Sequence, residues 1–170
     1  MTLVIILLTT ILHSTLMQVL VADKAIYRCL PCGSECDKSE YSAAGKCTHC
    51  QMPLVLASTI KFKEVSPALI CDYLKQHPQT LLVDVRTKAE YDGTTDPIFG
   101  TLKGAINIPI QEFTQGLPKL EKYKDKEILV FCSHSHRSPQ VAYLLMQHGF
   151  KKVVNMSGGM SVLQDTSCKK

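Results

Sequence analysis

The chain has 170 residues, a formal net charge of +4 and only 20% charged residues. This length suits one ordinary domain with a small appendage. Basic residues form no block, aromatic residues make up 6% of the chain and tryptophan is absent. The sequence therefore offers neither a polyanion-binding tract nor a platform on which bases stack, and we predict no nucleic-acid partner.

The first 22 residues contain no aspartate, glutamate, lysine or arginine and are rich in leucine, isoleucine and valine. Such a segment at a chain start is typical of a secretory signal or of an uncleaved N-terminal anchor. Residues 20–22, Leu-Val-Ala, offer a cleavage site, and a buried core helix is the alternative. We predict an exported protein, periplasmic, secreted or anchored, that meets a membrane only if this leader is uncleaved.

The eight cysteines are unevenly distributed along the chain. Five of them lie between Cys29 and Cys50, whereas Cys71, Cys132 and Cys168 stand alone. This clustering predicts a local metal or disulfide module at residues 23–57, not a disulfide scaffold that runs through the chain.

Two Cys-x2-Cys pairs, Cys29/Cys32 and Cys47/Cys50, are separated by fourteen residues. Each pair can form a tight knuckle, and two knuckles complete a tetrahedral four-thiolate site that suits Zn²⁺ or Cu(I). Cys36 is a surplus thiol whose role stays open. Disulfide bonds are the alternative to metal, because an exported protein meets oxidising conditions.

Residues 26–56 also carry the pattern Tyr-x-Cys at one end and Gly-Lys-Cys-x2-Cys-x-Met-x-Leu at the other. This stretch resembles the small heavy-metal-binding domain of bacterial metal-efflux proteins. That family usually has a histidine where this chain has Cys32, so its first-half ligand set departs from the pattern. The resemblance implies a metal-binding role for the module.

Residues 58–170 alternate between short apolar runs and helical segments. This alternation predicts an α/β domain with a parallel sheet, helices on both faces, and a site at the carboxyl ends of the strands. Gly116 and Pro118 are expected to interrupt the helical segment at 111–123. The predicted strands are 59–63, 81–86, 104–109, 126–131 and 152–156, and the other helical segments begin at Ser66, Thr87 and Ser138.

The segment 131–139, Phe-Cys-Ser-His-Ser-His-Arg-Ser-Pro, follows a buried strand and leads into a helix. Ser138 and Pro139 are residue types that start helices. Loop amides, the positive end of that helix and the guanidinium of Arg137 favour an anion. We therefore predict that Cys132 reacts as a thiolate nucleophile; a buried inert cysteine is the alternative.

The four residues between Cys132 and Arg137 resemble the active-site loop of the rhodanese family of sulfurtransferases. Related phosphatase and arsenate-reductase loops carry one more residue. The likeness extends over residues 58–170 and includes the motifs Asp-Val-Arg…Glu-Tyr at 84–91, Gly-Ala-x-Asn-Ile-Pro at 104–109 and Gly-Gly at 158–159. Departures at residues 93–102 are expected to change the rim of the pocket, since the loop is extended and Gly-Thr-Leu replaces Gly-His-Ile.

The resemblance implies that Cys132 carries a persulfide while Arg137 stabilises it. The loop residues Ser133, His134, Ser135, His136 and Ser138 would bind the substrate, although the two histidines are equally explained as rim residues. The partners implied are a small-molecule or protein sulfur donor and a thiol acceptor, with no cofactor required for the transfer. We expect Asp84, Arg86 and Glu90 to be structural.

Two functions therefore follow from the sequence. The first is an exported rhodanese-like sulfurtransferase with a Zn²⁺- or Cu-binding module. The alternative is a non-catalytic metal-handling protein that uses the rhodanese-like domain for docking or sensing.

Overall fold

The computed structural model describes residues 24–95 and 97–170. The predicted leader lies outside these residues. Within them, no helix is both long and apolar enough to cross a membrane.

Residues 24–56 form a small antiparallel sheet around the clustered cysteines. The strands are β1 (Tyr27–Cys29), β2 (Gly45–Lys46) and β3 (Pro53–Leu56), with β3 in the centre. A 3₁₀ turn at Glu35–Lys38 lies between β1 and β2. A sheet this small buries little apolar surface by itself, and its buried residues pack into one core cluster with Phe113 and Val141 of the larger sheet's helices.

A second sheet follows, with helices on both of its faces. Its strands are β4 (Lys63–Val65), β5 (Leu81–Asp84), β6 (Ile106–Asn107), β7 (Glu127–Phe131) and β8 (Lys152–Met156), and the helices are α1 (Ile70–Gln76), α2 (Lys88–Asp92), α3 (Phe113–Leu120) and α4 (Ser138–Gln147). The strands form the predicted parallel sheet, in the order β4-β8-β7-β5-β6.

The central strand β7 carries alternate side chains on opposite faces of the sheet. Ile128 and Val130 point towards the helices α3 and α4, whereas Leu129 and Phe131 point towards α1.

Helix α3 corrects the prediction of an interrupted segment, because it runs through both Gly116 and Pro118. Gly116 lets the helix approach the chain after β6: a methyl group at this position would lie 2.9 Å from Ile108 Cγ2. The edge strand is also displaced, from the predicted 59–63 to Lys63–Val65. Packing against the sheet therefore outweighed local propensity in setting where these elements begin and end.

A disulfide joins Cys71 on α1 to Cys168 near the C-terminus, 97 residues apart. This bond corrects the expectation that both cysteines stand alone. It fixes the C-terminal tail against the segment after residue 100, where Lys103 donates its amide to the Cys168 carbonyl at 2.9 Å and Lys170 donates to Thr101 at 2.7 Å.

Asp84 and Arg86 form a fully buried ion pair at the end of β5, which confirms the structural role expected for them. Arg86 Nε donates to Asp84 Oδ1 at 3.0 Å and Nη2 donates to Oδ2 at 2.6 Å. Thr101 donates its hydroxyl to the same carboxylate at 2.9 Å. The pair ties β5 to the segment before β6, so it anchors the edge of the sheet on which the site is built.

Asp84→Asn is expected to lower the free energy of unfolding by about 3 kcal/mol, because the buried guanidinium loses its counter-charge. Urea unfolding of the native and variant chains measures this difference. Asp72→Asn is the matched control: it breaks an exposed pair with Lys75 and should leave the transition where it is. Equal effects of the two substitutions would contradict the structural role of the buried pair.

Candidate functional site

Cys132 lies directly after β7, at the carboxyl edge of the sheet, and is 1% exposed. The loop 133–137 then leads into α4, whose first residue is Ser138. The Ser138 hydroxyl lies 3.5 Å from Cys132 Sγ. Cys132 is thus held at the base of a loop, with a hydroxyl beside its sulfur.

The loop turns its backbone so that its amides stay available. Ser135 adopts the left-handed conformation, with φ of 56°, which closes the loop into a ring. Among the described residues, the N–H groups of residues 133–137 donate no hydrogen bond. Consecutive free amides around a turn of this kind form a concave anion site.

The Gly-Gly segment fixes the other side of this loop. Met160 donates its amide to the Cys132 carbonyl at 2.8 Å, and Ser161 donates to the Ser133 carbonyl at 2.9 Å. Gly159 has a positive φ of 74° and approaches so closely that a methyl group there would lie 2.4 Å from the Ser133 carbonyl oxygen. Only glycine fits between the two backbones.

The guanidinium of Arg137 is paired with the Glu90 carboxylate. Both Nη1 and Nη2 donate to it, each at 2.6 Å, and Ser133 Oγ donates to Glu90 Oε1 at 2.9 Å. Arg137 lowers the pKa of the Glu90 carboxyl well below its usual range, and Glu90 in turn raises the pKa of Arg137. The positive charge of Arg137 thus lies at the end of the loop, where the Glu90 carboxylate is its direct partner.

Glu90 is the residue whose role the sequence interpretation understated. It lies in the first turn of α2, where its side chain also accepts from the Thr87 amide at 2.9 Å as part of a capping box. One carboxylate therefore joins α2 to both ends of the loop 133–137. The signal available in the sequence was the Asp-Val-Arg…Glu-Tyr motif at residues 84–91, which contains Glu90.

The predicted substrate-binding residues fall into two groups. Ser133, Ser135 and Ser138 are buried within the loop, whereas His134 and His136 are exposed. The His134 ring meets the edge of Phe99 at 5.7 Å between ring centroids. Phe99 therefore reaches the rim beside His134, and the exposed histidines border the mouth of the site.

Glu90→Gln is expected to lower the free energy of unfolding at pH 7 by about 1–2 kcal/mol, a value reduced by partial exposure of the pair. Since folding lowers the pKa of Glu90 from 4.5, its contribution is complete above that pH. It is lost as the pH falls towards the folded-state value. The native–variant difference in urea unfolding should therefore narrow below pH 4.5.

Asp92→Asn, which breaks an exposed pair with Lys88 in the same helix, is the control for Glu90→Gln. It should cost below about 0.5 kcal/mol. A native–Glu90→Gln difference that stays constant down to pH 3 would contradict the ionised role of Glu90.

The clustered cysteines converge on a second candidate site. The sulfur atoms of Cys29, Cys32, Cys36 and Cys50 all lie within 4.8 Å of one another. A tetrahedral zinc with four thiolates requires sulfur atoms about 3.8 Å apart. The Cys29–Cys50 and Cys32–Cys36 distances are 3.0 and 3.5 Å, so these four residues, here called the four-thiol cluster, fit such an ion with small adjustments.

The four-thiol cluster corrects the predicted ligand set at one position. Cys36 takes the place expected for Cys47, because the 3₁₀ turn at Glu35–Lys38 folds Cys36 back towards Cys32. Cys47 is fully buried beside the cluster. Although burial raises its pKa, the amides of Cys50 and His49 outweigh that effect and lower the pKa of Cys47 to about 6.

Burial raises the pKa of the Cys29, Cys32 and Cys36 thiols. These thiols are therefore neutral unless a cation replaces their protons. A thiophilic cation would be held by the four-thiol cluster and would cross-link β1, the 3₁₀ turn and the chain before β3.

The chain is similar to known proteins of one family. The model of the rhodanese-like domain matches residues 71–166. A protein named tRNA uridine(34) hydroxylase from Hamiltonella defensa is 30% identical over 128 residues, which cover 68% of this chain and 34% of that protein. One of the same name from Acinetobacter baumannii is 37% identical over 91 residues, 51% of this chain and 27% of that protein.

The chain spans between 27% and 34% of the length of these relatives. Among solved structures, the rhodanese-like domain of an Anabaena protein has a TM-score of 0.53 at 22% identity, covering 64% of this chain and 78% of that one. A Rhodopseudomonas palustris protein described as a possible tyrosine phosphatase has a TM-score of 0.53 at 18% identity, covering 63% and 83%. These two likenesses show the fold. By its sequence match and its fold, this chain belongs to the family of rhodanese-like domains.

Proposed function

We propose that the chain is an exported rhodanese-like sulfurtransferase that moves a sulfane sulfur through a persulfide on Cys132. The observation that carries the proposal is the ring of free amides at 133–137 around a cysteine placed at the sheet's carboxyl edge. Fold alone does not determine chemistry, so the support for sulfur transfer comes from this loop.

The reaction needs no oxidant. With thiosulfate as donor, the Cys132 thiolate attacks the outer sulfur, the sulfur–sulfur bond breaks, and sulfite leaves with the bonding electrons. Cyanide or a thiolate then attacks the terminal sulfur of the persulfide, and Cys132 departs as the thiolate. The loop amides would stabilise the anionic sulfur in both states, and the Ser138 hydroxyl is placed to donate to Cys132.

Arg137 contributes to this chemistry indirectly. Its guanidinium is held by Glu90, so it supports the loop electrostatically and fixes its shape. The role proposed for Arg137 is therefore stabilisation of the loop and its anion, while the amides make the contacts with sulfur.

Export is supported by two features. The first is the uncharged apolar start of the sequence, and the second is the disulfide between Cys71 and Cys168, a bond that persists in oxidising compartments. That the chain has no nucleic-acid partner remains a prediction from composition. Because the relatives' name refers to a tRNA, this prediction has to be tested by experiment.

A metal-handling role is the second candidate, and the four-thiol cluster favours it. In that case Zn²⁺ or Cu(I) binding would be the function and the rhodanese-like domain would dock or sense. The cluster itself is compatible with both candidates, because a structural metal would also stabilise the module of an enzyme.

Steady-state transfer of sulfur from thiosulfate to cyanide by the zinc-loaded full chain separates the two. The enzyme account predicts turnover, and it predicts that Cys29→Ser retains at least about a tenth of the rate, because the four-thiol cluster does not touch the reacting sulfur. Stoichiometric metal binding with no turnover of thiosulfate or of a persulfide donor would favour the metal-handling role.

A further inference from the structure

The metal module packs directly against the segment that fixes the catalytic loop. Gly33 is the residue in contact: a methyl group placed on it would lie 3.4 Å from the Gly158 nitrogen and 3.7 Å from its Cα. The next residue, Gly159, contacts the Ser133 carbonyl as described above. One residue therefore separates the module from the backbone of the catalytic loop.

The position of Gly33 depends on the four-thiol cluster. Gly33 lies between Cys32 and Cys36, two members of the cluster. The Asp37 carboxylate accepts from the Gly33 amide at 2.8 Å and from the Cys32 amide at 3.0 Å. The glycine turn, both cysteines and the 3₁₀ turn thus form one unit, which a bound cation would hold together.

A second contact reaches the other end of the loop. Leu30 is 2% exposed and lines an apolar groove with Phe113, Val141 and Leu144. Val141 and Leu144 belong to α4, the helix that begins where the catalytic loop ends. The module therefore touches the structures on both sides of the loop, at Gly158 and at α4.

From these contacts we infer that Gly33 is a positioning residue for sulfur transfer and that a thiophilic cation in the four-thiol cluster acts through it on the Cys132 loop. This inference rests on the proposed function for its catalytic consequence. Without the cation the cluster is free to spread, and the Gly33 contact with Gly158 loosens. Two sites coupled in this way typically change each other's equilibrium constant by about fivefold or more.

The direct test is hydrogen–deuterium exchange of the full chain, followed by mass spectrometry of peptides covering residues 138–147 and 157–161, here called the loop peptides. Their hydrogen-bonded amides include those of α4 and those of Met160 and Ser161, which bond to the loop carbonyls. The zinc-loaded protein is compared with protein stripped by a chelator. We expect exchange in both peptides to be about fivefold faster or more after stripping, with β5 unchanged, and kcat/KM for thiosulfate to fall by a similar factor.

Two variants keep the test independent of the chelator. Leu30→Ala retains all four thiols, so it should bind one zinc per chain and still show faster exchange in the loop peptides at full occupancy. Cys36→Ser should resemble the stripped protein even when zinc is supplied. Glu35→Gln, an exposed change in the same 3₁₀ turn, is the matched control and should behave like the native chain.

The outcomes separate this inference from the proposed function. Equal exchange of the loop peptides in loaded and stripped protein would overturn the inference, whatever the activity and whatever Leu30→Ala does. The inference would also be overturned if the chain bound no zinc because its four-thiol cluster formed two disulfides. Loop protection by zinc in a protein that transfers no sulfur would uphold the coupling and refute the sulfurtransferase.

Discussion

Cys132→Ser is expected to lower kcat/KM for sulfur transfer by at least about 1000-fold, because a serine oxygen cannot attack and carry a sulfane sulfur. Cys132 is the only sulfur of the catalytic loop, and it lies at the base of the free amides. The variant should fold normally, since the substitution changes one buried atom and costs about 1 kcal/mol. Initial rates of thiocyanate formation provide the measurement, with urea unfolding as the check on folding.

Cys47→Ser is the matched control for this prediction. It also replaces a buried cysteine, but one that lies outside the four-thiol cluster and outside the loop. We expect it to retain activity within about threefold. Loss of activity in both variants alike would mean that the assay reports folding, and retention in Cys132→Ser would remove the nucleophile from the mechanism.

Gly159→Ala is expected to have the largest effect on stability, together with a loss of activity of at least about tenfold. The added methyl group would lie 2.4 Å from the Ser133 carbonyl oxygen and 2.6 Å from that of Cys132. Neither backbone can move without breaking the hydrogen bonds from Met160 and Ser161. Backbone strain and overpacking together should lower the free energy of unfolding by about 3–5 kcal/mol.

Gly104→Ala separates steric clash from backbone conformation. Gly104 has a φ of 79°, close to the 74° of Gly159, but no atom lies within 4 Å of a methyl group placed there. It should therefore cost only about 1 kcal/mol and leave activity unchanged. If both alanine variants lose the same stability and activity, the contact between the Gly-Gly segment and the loop is not what holds Cys132.

The elements that the sequence predicted well are those with continuous apolar runs. The strands Glu127–Phe131 and Lys152–Met156 agree with the predicted 126–131 and 152–156, because strands buried on both faces are mostly apolar. Asn155 is the buried polar exception in these two strands. The alternation at 59–63 was misleading. Ile60 and Phe62 are drawn into the apolar core instead of a sheet ladder, so alternation indicated burial and not pairing.

The parts that could not be predicted depend on distant contacts. The bond between Cys71 and Cys168 spans 97 residues, and sequence spacing contains no information about such a pair. The exchange of Cys36 for Cys47 in the four-thiol cluster depends on a 3₁₀ turn, which Cys-x2-Cys spacing does not encode. The ion pair between Glu90 and Arg137 joins two segments that meet only in the folded sheet, so the sequence alone does not reveal it.

Sulfur transfer as proposed requires that Cys132 carry a transferable sulfur. Mass spectrometry of the full chain after incubation with thiosulfate tests it most directly, with peptide mapping before and after addition of cyanide. The account predicts a gain of about 32 Da on the peptide that contains Cys132, and its stoichiometric loss as thiocyanate appears. A peptide that never gains this mass, or that keeps it in the presence of cyanide, would contradict the account.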